Sequence, residues 1–118
     1  MDRQIYIRTQ FTGYHRWDEA PECVAFLRNA HRHIFHVKVI VPVKHNNRAI
    51  EFFMMKHVVD NFVSGVINNT PPDGNLGSCE SMAERIATHI HKYYKCEWNE
   101  IVTVDVSEDG ENGAIIRT

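Results

Sequence analysis

The chain is short of the features that mark several classes of protein. Its 118 residues contain three cysteines, Cys23, Cys79 and Cys96, and no C-x-x-C pair. An odd cysteine count without a secretion signal is typical of free thiols in a reducing compartment, so we expect a cytoplasmic protein. The first residues contain no apolar run, and nothing in them indicates a signal peptide.

Excess charge and long apolar stretches are also missing. The formal net charge is −2 and Lys and Arg cluster nowhere, so nothing predicts binding to nucleic acid. The longest apolar stretch, near Val37 to Val43, is too short to cross a membrane. The composition, 43% apolar and 24% charged, is ordinary for a globular domain. We therefore expect residues 1–118 to form a single soluble domain.

The first half of the chain has the alternation of β-strands. Apolar and polar residues alternate over residues 5–11 and again over residues 31–43, which predicts two strands. Pro42 has no N–H to donate, so it should lie near the end of the second strand or on an edge. Residues 12–29 lack a steady period and are predicted as an irregular loop with one helical turn. Ala49–Phe52 is predicted as a short strand.

The second half changes to a helical period and then back to strands. From Phe53 onward apolar residues share one helix face, namely Met55, Val59, Phe62, Val63 and Val66. Ser78 is the predicted N-cap of a second helix. Its apolar stripe is predicted to comprise Met82, Ala83, Ile86, Ile90 and Tyr93. Ile101–Val106 and Ala114–Ile116 predict a closing hairpin.

This order of elements, β-β-α-α-β-β, predicts an α+β fold with two helices on one face of an antiparallel sheet. A small sheet of this kind leaves its edge strands unpaired unless subunits complete them. Association through strand edges into a homo-oligomer is therefore expected.

The most informative local pattern is the pair His31 and His33 on the predicted second strand. Side chains two apart on a strand point the same way, roughly 7 Å apart. Two imidazoles on rigid backbone provide two ligands of a three-histidine zinc site, and His15 is a candidate third ligand. The chain has eight histidines, so an H-x-H pair also arises without any metal role.

Five phrases carry a resemblance that spans nearly the whole chain. They are F-T-G-Y-H at Phe11–His15, H-R-H-I-F-H-V at His31–Val37, I-E-F-F-M-M-K at Ile50–Lys56, G-S-C-E-S-M-A at Gly77–Ala83 and V-D-V-S-E at Val104–Glu108. In order and spacing they resemble the 6-pyruvoyl-tetrahydropterin synthase and 6-carboxy-tetrahydropterin synthase family. The resemblance implies the tunnelling fold (T-fold) and a place near folate, biopterin or deazaguanine (queuosine) chemistry.

The resemblance also implies an activity and a metal. Zn²⁺ would be held by His15, His31 and His33, with an open position for substrate. The reaction would be that of a lyase, converting dihydroneopterin triphosphate to 6-carboxy-tetrahydropterin or 6-pyruvoyl-tetrahydropterin. Because the chain is short, the 6-carboxy product is favoured. The family forms rings of subunits, so a trimer or hexamer with sites at subunit interfaces is implied.

Three residues are implied in holding the substrate ring. Glu108 is similar to the family glutamate that accepts two N–H bonds from a guanine-like ring, a bidentate match of planar groups. Ser78 and Glu80 resemble a stretch that helps hold the ring. From the residues alone, Glu108 is an exposed acid of the hairpin, and Ser78 and Glu80 are a helix cap and its first turn.

The chain departs from the family where proton transfer is expected. The family cysteine four to six residues before the H-x-H pair is absent, since position 27 is Leu27, and Cys23 is the candidate catalytic cysteine. The family Asp-His pair corresponds to Ile67-Asn68. Candidate replacements for that base are Glu19, Glu22 and His57. These departures leave two alternatives open: a zinc-containing protein that only binds a pterin or purine, and a family member with different, aldolase-like chemistry.

Overall fold

Four antiparallel strands and two α-helices build the part of the chain that this computed structural model describes, residues 1–71, 74–94 and 100–118. The strands are β1 (Gln4–His15), β2 (His31–Pro42), β3 (Thr103–Glu108) and β4 (Asn112–Arg117). The helices are α1 (Phe52–Asn68) and α2 (Cys79–Tyr93), and a 3₁₀ segment spans Glu22–Arg28. Sheet order follows chain order, β1-β2-β3-β4. The predicted α+β class and element order are confirmed.

The pairing of β1 with β2 runs the full length of both strands, from Gln4 opposite Pro42 to His15 opposite His31. Pro42 is the last residue of β2, as predicted. From Phe35 onward every second residue of β2 is buried, namely Phe35, Val37, Val39 and Val41. This alternation is expected when helices cover one face of a sheet and leave the other open.

The helices begin where side chains cap their first turns. Glu51 accepts from the N–H groups of Phe53 at 2.8 Å and Met54 at 3.2 Å, so α1 begins at Phe52. The predicted short strand at Ala49–Phe52 is therefore wrong. Ser78 caps α2 as predicted, because its Oγ accepts from the Ser81 N–H at 3.1 Å.

The core lies between the helices and the covered face of the sheet. The buried residues of α1 are Met55, Val58, Val59 and Val63, and those of α2 include Met82, Ala83, Ile86, Ala87 and Ile90. Tyr93 is 60% exposed, so its predicted place in the α2 stripe is wrong. In the described part of the chain, neither helix is long and apolar enough to cross a bilayer.

Two boundaries in the sheet differ from the prediction. Residues 12–15 belong to β1 rather than to a loop, because Gly13 continues the ladder opposite His33 and lies under the Leu76 side chain. The closing hairpin is shifted: β3 runs to Glu108, and Asp109 and Gly110 turn the chain with positive φ of 55° and 74°. Cys96 lies outside the described residues.

Adjacent methionines in α1 provide a matched test of the core. Met55 is 0% exposed and Met54 is 64% exposed. We expect Met55→Ala to lower the free energy of unfolding by about 2–5 kcal/mol through lost burial and a residual cavity. Met54→Ala should change it by no more than about 0.5 kcal/mol. Urea unfolding of both variants measures this, and equal effects would contradict the assigned helix face.

Candidate metal centre and its cavity

The strand register brings three histidines to one end of the sheet. His15 ends β1 directly opposite His31, which begins β2, and His33 lies opposite Gly13. Directly opposite residues of antiparallel strands share a face, so all three imidazoles lie on the helix-covered side. One candidate ligand atom from each histidine lies within 4.8 Å of the other two. Two of the three predicted ligands thus come from one strand and the third from its neighbour.

Each imidazole is held through its Nδ1 atom. The acceptors are the carbonyl oxygen of Gly77 for His15 and of Asn29 for His31, both at 2.8 Å, and the Asp109 carboxylate for His33, at 2.7 Å. Carbonyl and carboxylate oxygens only accept, so each Nδ1 must donate its proton. The three Nε2 atoms then carry the free lone pairs, which is the tautomer that metal binding requires.

The loops that supply these acceptors have local causes of their own. Gly77 has φ +91°, a conformation that glycine adopts without strain, and it directs its carbonyl to His15 immediately before α2 begins. The hydrogen bonds from His33 and from the Ile34 N–H lower the pKa of the Asp109 carboxyl below its usual range. Asp109 is therefore ionised at neutral pH.

The residues present fit a bound metal ion. The Nε2 atoms of His15 and His31 are buried and lack a hydrogen-bond partner within the described residues. Burial is the main cause that lowers the pKa of His15, opposed by the Gly77 carbonyl and Glu108, so His15 is neutral near pH 7. Two ligands of a tetrahedral zinc ion with bonds of about 2.0–2.1 Å lie about 3.3 Å apart. The three candidate ligand atoms lie within 4.8 Å of one another, so the cluster could bind a metal.

A carboxylate borders the histidine cluster. Glu108 is the last residue of β3 and lies opposite Phe35, on the covered face. Its Oε1 is 3.1 Å from the Nε2 of His15, and its Oε2 is 3.5 Å from the Nε2 of His33. The His15 contact has the distance of an ion pair but not the angles of a hydrogen bond. The Glu108 carboxylate therefore lies beside the nitrogens of His15 and His33, and it makes no hydrogen bond to the Nε2 of His15.

A cavity of about 630 Å³ opens next to the cluster. This volume is in the range that encloses a small organic ligand. The structure brings the predicted ring-binding residues Ser78, Glu80 and Glu108 to its wall, together with His15 and His31. Trp17 and Leu27 add an apolar wall, joined by a hydrogen bond from the Trp17 N–H to the Leu27 carbonyl at 2.7 Å.

The candidate proton-transfer residues are not brought to this cavity. Cys23 is exposed in the 3₁₀ segment and does not line the cavity. Glu19, Glu22 and His57 do not line it either. Of the described cysteines, Cys79 lines the cavity, and burial with the nearby Glu108 and Glu80 raises its pKa to about 11. That thiol is protonated at neutral pH and is a poor base.

Sequence reasoning missed the residues that orient the histidines. Asn29 and Gly77 act through backbone carbonyls, which any residue type carries, so no sequence signal could identify them. Asp109 had a weak signal, because an Asp-Gly pair predicts a hairpin turn. Its contact with His33 becomes visible only when the register of β2 against β3 is known.

Comparison with known proteins assigns no family to this chain. Neither a known family model nor a curated protein sequence matches it. Any functional conclusion therefore depends on the geometry of the histidine cluster and its cavity, and on the sequence phrases that resemble the pterin synthases.

The metal centre can be tested with two histidines of one strand. His31 is in the cluster, whereas His36 lies on the opposite, open face of β2. We expect His31→Ala to abolish stoichiometric zinc binding, because two imidazoles remain, and His36→Ala to retain it. Zinc content after dialysis, measured by atomic emission, checks this. Unchanged zinc in His31→Ala would refute the site.

Burial of His15 gives the metal-free protein a defined pH dependence. Burial holds the folded pKa of His15 below 6.5, the ordinary value for an imidazole, so the unfolded chain binds more protons as pH falls. The His15 contribution is present above pH 6.5 and is lost as pH falls through the lower folded pKa. Urea unfolding in the presence of chelator, from pH 7.5 to 5, should show a shallower decline for His15→Gln than for His36→Gln. Equal slopes would contradict the assignment.

Proposed function

We propose that this chain is a zinc-dependent pterin synthase-like enzyme of the T-fold. Its reaction would convert dihydroneopterin triphosphate to 6-carboxy-tetrahydropterin or 6-pyruvoyl-tetrahydropterin. The observation that carries the proposal is a cluster of three imidazoles, two of them with unpartnered Nε2 atoms, next to Glu108 and a cavity of about 630 Å³. The five family-like phrases support it, because four of them supply residues to this one place.

His15, His31 and His33 would hold the zinc ion, which when bound supplies a Lewis acid for acidifying protons of the substrate side chain. The protein holds all three rings in a fixed orientation before binding, since each Nδ1 already donates to a fixed acceptor. Burial of His15 adds to this by opposing its protonation. The ligand set therefore requires little reorganisation.

Glu108 is the proposed anchor of the pterin ring. A carboxylate accepts two parallel N–H bonds from the amino group and ring nitrogen of a guanine-like heterocycle. The Glu108 side chain is 30% exposed and faces both the cavity and the histidines. A ring held there would lie close to the imidazoles. The contacts of Glu108 with His15 and His33 are also compatible with a direct bond to the metal, which a variant can distinguish.

A second candidate function is supported by the missing proton-transfer residues. Cys23 lies away from the cavity lining, and the Cys79 thiol in the lining is held protonated. Among the described residues, two acids line the cavity, Glu80 and Glu108, and Glu80 is the exposed one that can exchange protons with solvent. A chain with this set could bind a pterin or purine beside zinc without converting it, or use Glu80 in different chemistry.

The proposed enzyme is a cytoplasmic homo-oligomer, a trimer or hexamer with sites at subunit interfaces. Within the described residues, β1 pairs only with β2 and β4 only with β3, so both outer edges of the sheet are open to another copy. The twelve-residue edge of β1 is long for an unpaired strand. The cavity also opens outward, where a second subunit could close it.

Turnover of the proposed substrate is the direct test. Zinc-loaded protein incubated with dihydroneopterin triphosphate should release triphosphate and the 6-pyruvoyl product, or triphosphate, a two-carbon aldehyde and the 6-carboxy product, and mass spectrometry identifies which. Glu108→Gln should retain zinc and lose ring binding, because an amide cannot accept both N–H bonds. If the variant loses zinc instead, Glu108 is a metal ligand.

Two cysteine variants separate the candidate functions. Loss of about 10²–10⁴ in rate for Cys23→Ala would assign proton transfer to Cys23. Turnover that is indifferent to Cys23→Ala and Cys79→Ala would indicate another acid or base. Tight binding of the substrate without any product would overturn the synthase proposal and favour the binding protein.

A further inference from the structure

Asp109 makes three hydrogen bonds at the mouth of the β3–β4 turn. Its Oδ2 accepts from the Nδ1 of His33 at 2.7 Å, and its Oδ1 accepts from the N–H of Ile34 at 2.9 Å. Its own N–H donates to the Ile34 carbonyl at 2.7 Å. Asp109 is thus fixed to two successive residues of β2, His33 and Ile34, through both carboxylate oxygens and its backbone N–H.

We infer that Asp109 is a positioning residue of the metal centre, holding His33 in the tautomer and orientation that present its Nε2 to the ion. The Ile34 N–H fixes the carboxylate, and the carboxylate fixes the imidazole. A carboxylate that accepts from a ligating histidine orients the ring and raises its basicity as a ligand. This inference depends on the metal site of the proposed function.

Turn formation alone does not account for this aspartate. Asp109 has φ +55°, a conformation in which glycine is unstrained and asparagine and aspartate are tolerated. If this position served only the turn, glycine would therefore suit it at least as well as aspartate does. What aspartate adds is a pair of acceptor oxygens, and both of them are used.

His33 differs from the other two histidines in that its Nδ1 donates to a charged acceptor. His15 and His31 are held by neutral backbone carbonyls. The His33 side chain is 21% exposed, whereas that of His15 is 9% exposed. A hydrogen bond to an ionised carboxylate is stronger than one to a carbonyl, so it holds an imidazole that water can also reach.

Asp109→Gly separates positioning from turn formation, because glycine suits the positive φ and removes the acceptor. We expect its zinc dissociation constant to rise roughly 10–100-fold, measured by competition with a chromophoric chelator. Asp109→Asn keeps an oxygen acceptor without the charge and should lose less affinity. Glu111→Gln, an exposed acid of the same turn, is the matched control and should bind zinc like wild type.

The visible absorption of bound Co²⁺ provides a second readout that requires no turnover. Its bands should shift in Asp109→Gly and stay unchanged in Glu111→Gln. Wild-type affinity in Asp109→Gly, or equal loss in the control, would overturn the inference while leaving the metal site intact. Failure of wild type itself to bind zinc would overturn the site, and the inference with it. If the glycine variant fails to fold, wild-type affinity in a folded Asp109→Asn overturns the inference, and a loss supports it.

Discussion

The pairing of β1 with β2 is the constraint on which the site depends. His15 and His31 are direct partners, and His33 follows two residues along the same face. A slip of one residue would turn one strand's histidine to the open face and its buried apolar residues to water. The core prevents that slip, because Phe35, Val37, Val39 and Val41 are all at most 1% exposed. The hydrophobic pattern of β2 therefore also sets the geometry of the histidines.

The remaining parts of the site come from segments that end against this strand pair. The loop before α2 delivers the Gly77 carbonyl to His15, and Ser78 then caps the helix that carries Glu80 to the cavity. The end of β3 delivers Glu108, since Glu108 pairs with Phe35. The ends of the strands and helices thus supply the polar groups of the site, while their interiors supply the core. This division lets one small domain have both a dry core and a polar cavity.

Periodicity predicted the elements well because burial is itself periodic. The buried residues of β2 and most of those of α1 and α2 follow directly from spacing. Element ends were harder to predict. Glu51 caps α1 where apolar residues suggested a strand, and β1 continues through Gly13 to His15 although glycine suggested a loop. The H-x-H spacing predicted that His31 and His33 share a face, and the register brings the third predicted ligand, His15, beside them. The contact between Asp109 and His33 joins residues far apart in sequence, so no local pattern contains it.

The unpaired nitrogens of His15 and His31 indicate what the site is arranged to do. A buried polar atom without a partner costs about 1–3 kcal/mol in the folded state. Because Nδ1 carries the proton in both rings, each Nε2 is an acceptor, and a hydrogen-bond donor or a cation would satisfy it. Here each ring is instead fixed through its other nitrogen, so it cannot turn its Nε2 toward solvent without breaking that bond. A metal ion would satisfy both nitrogens at once, and the energy of binding it would then offset the cost of holding the rings in place.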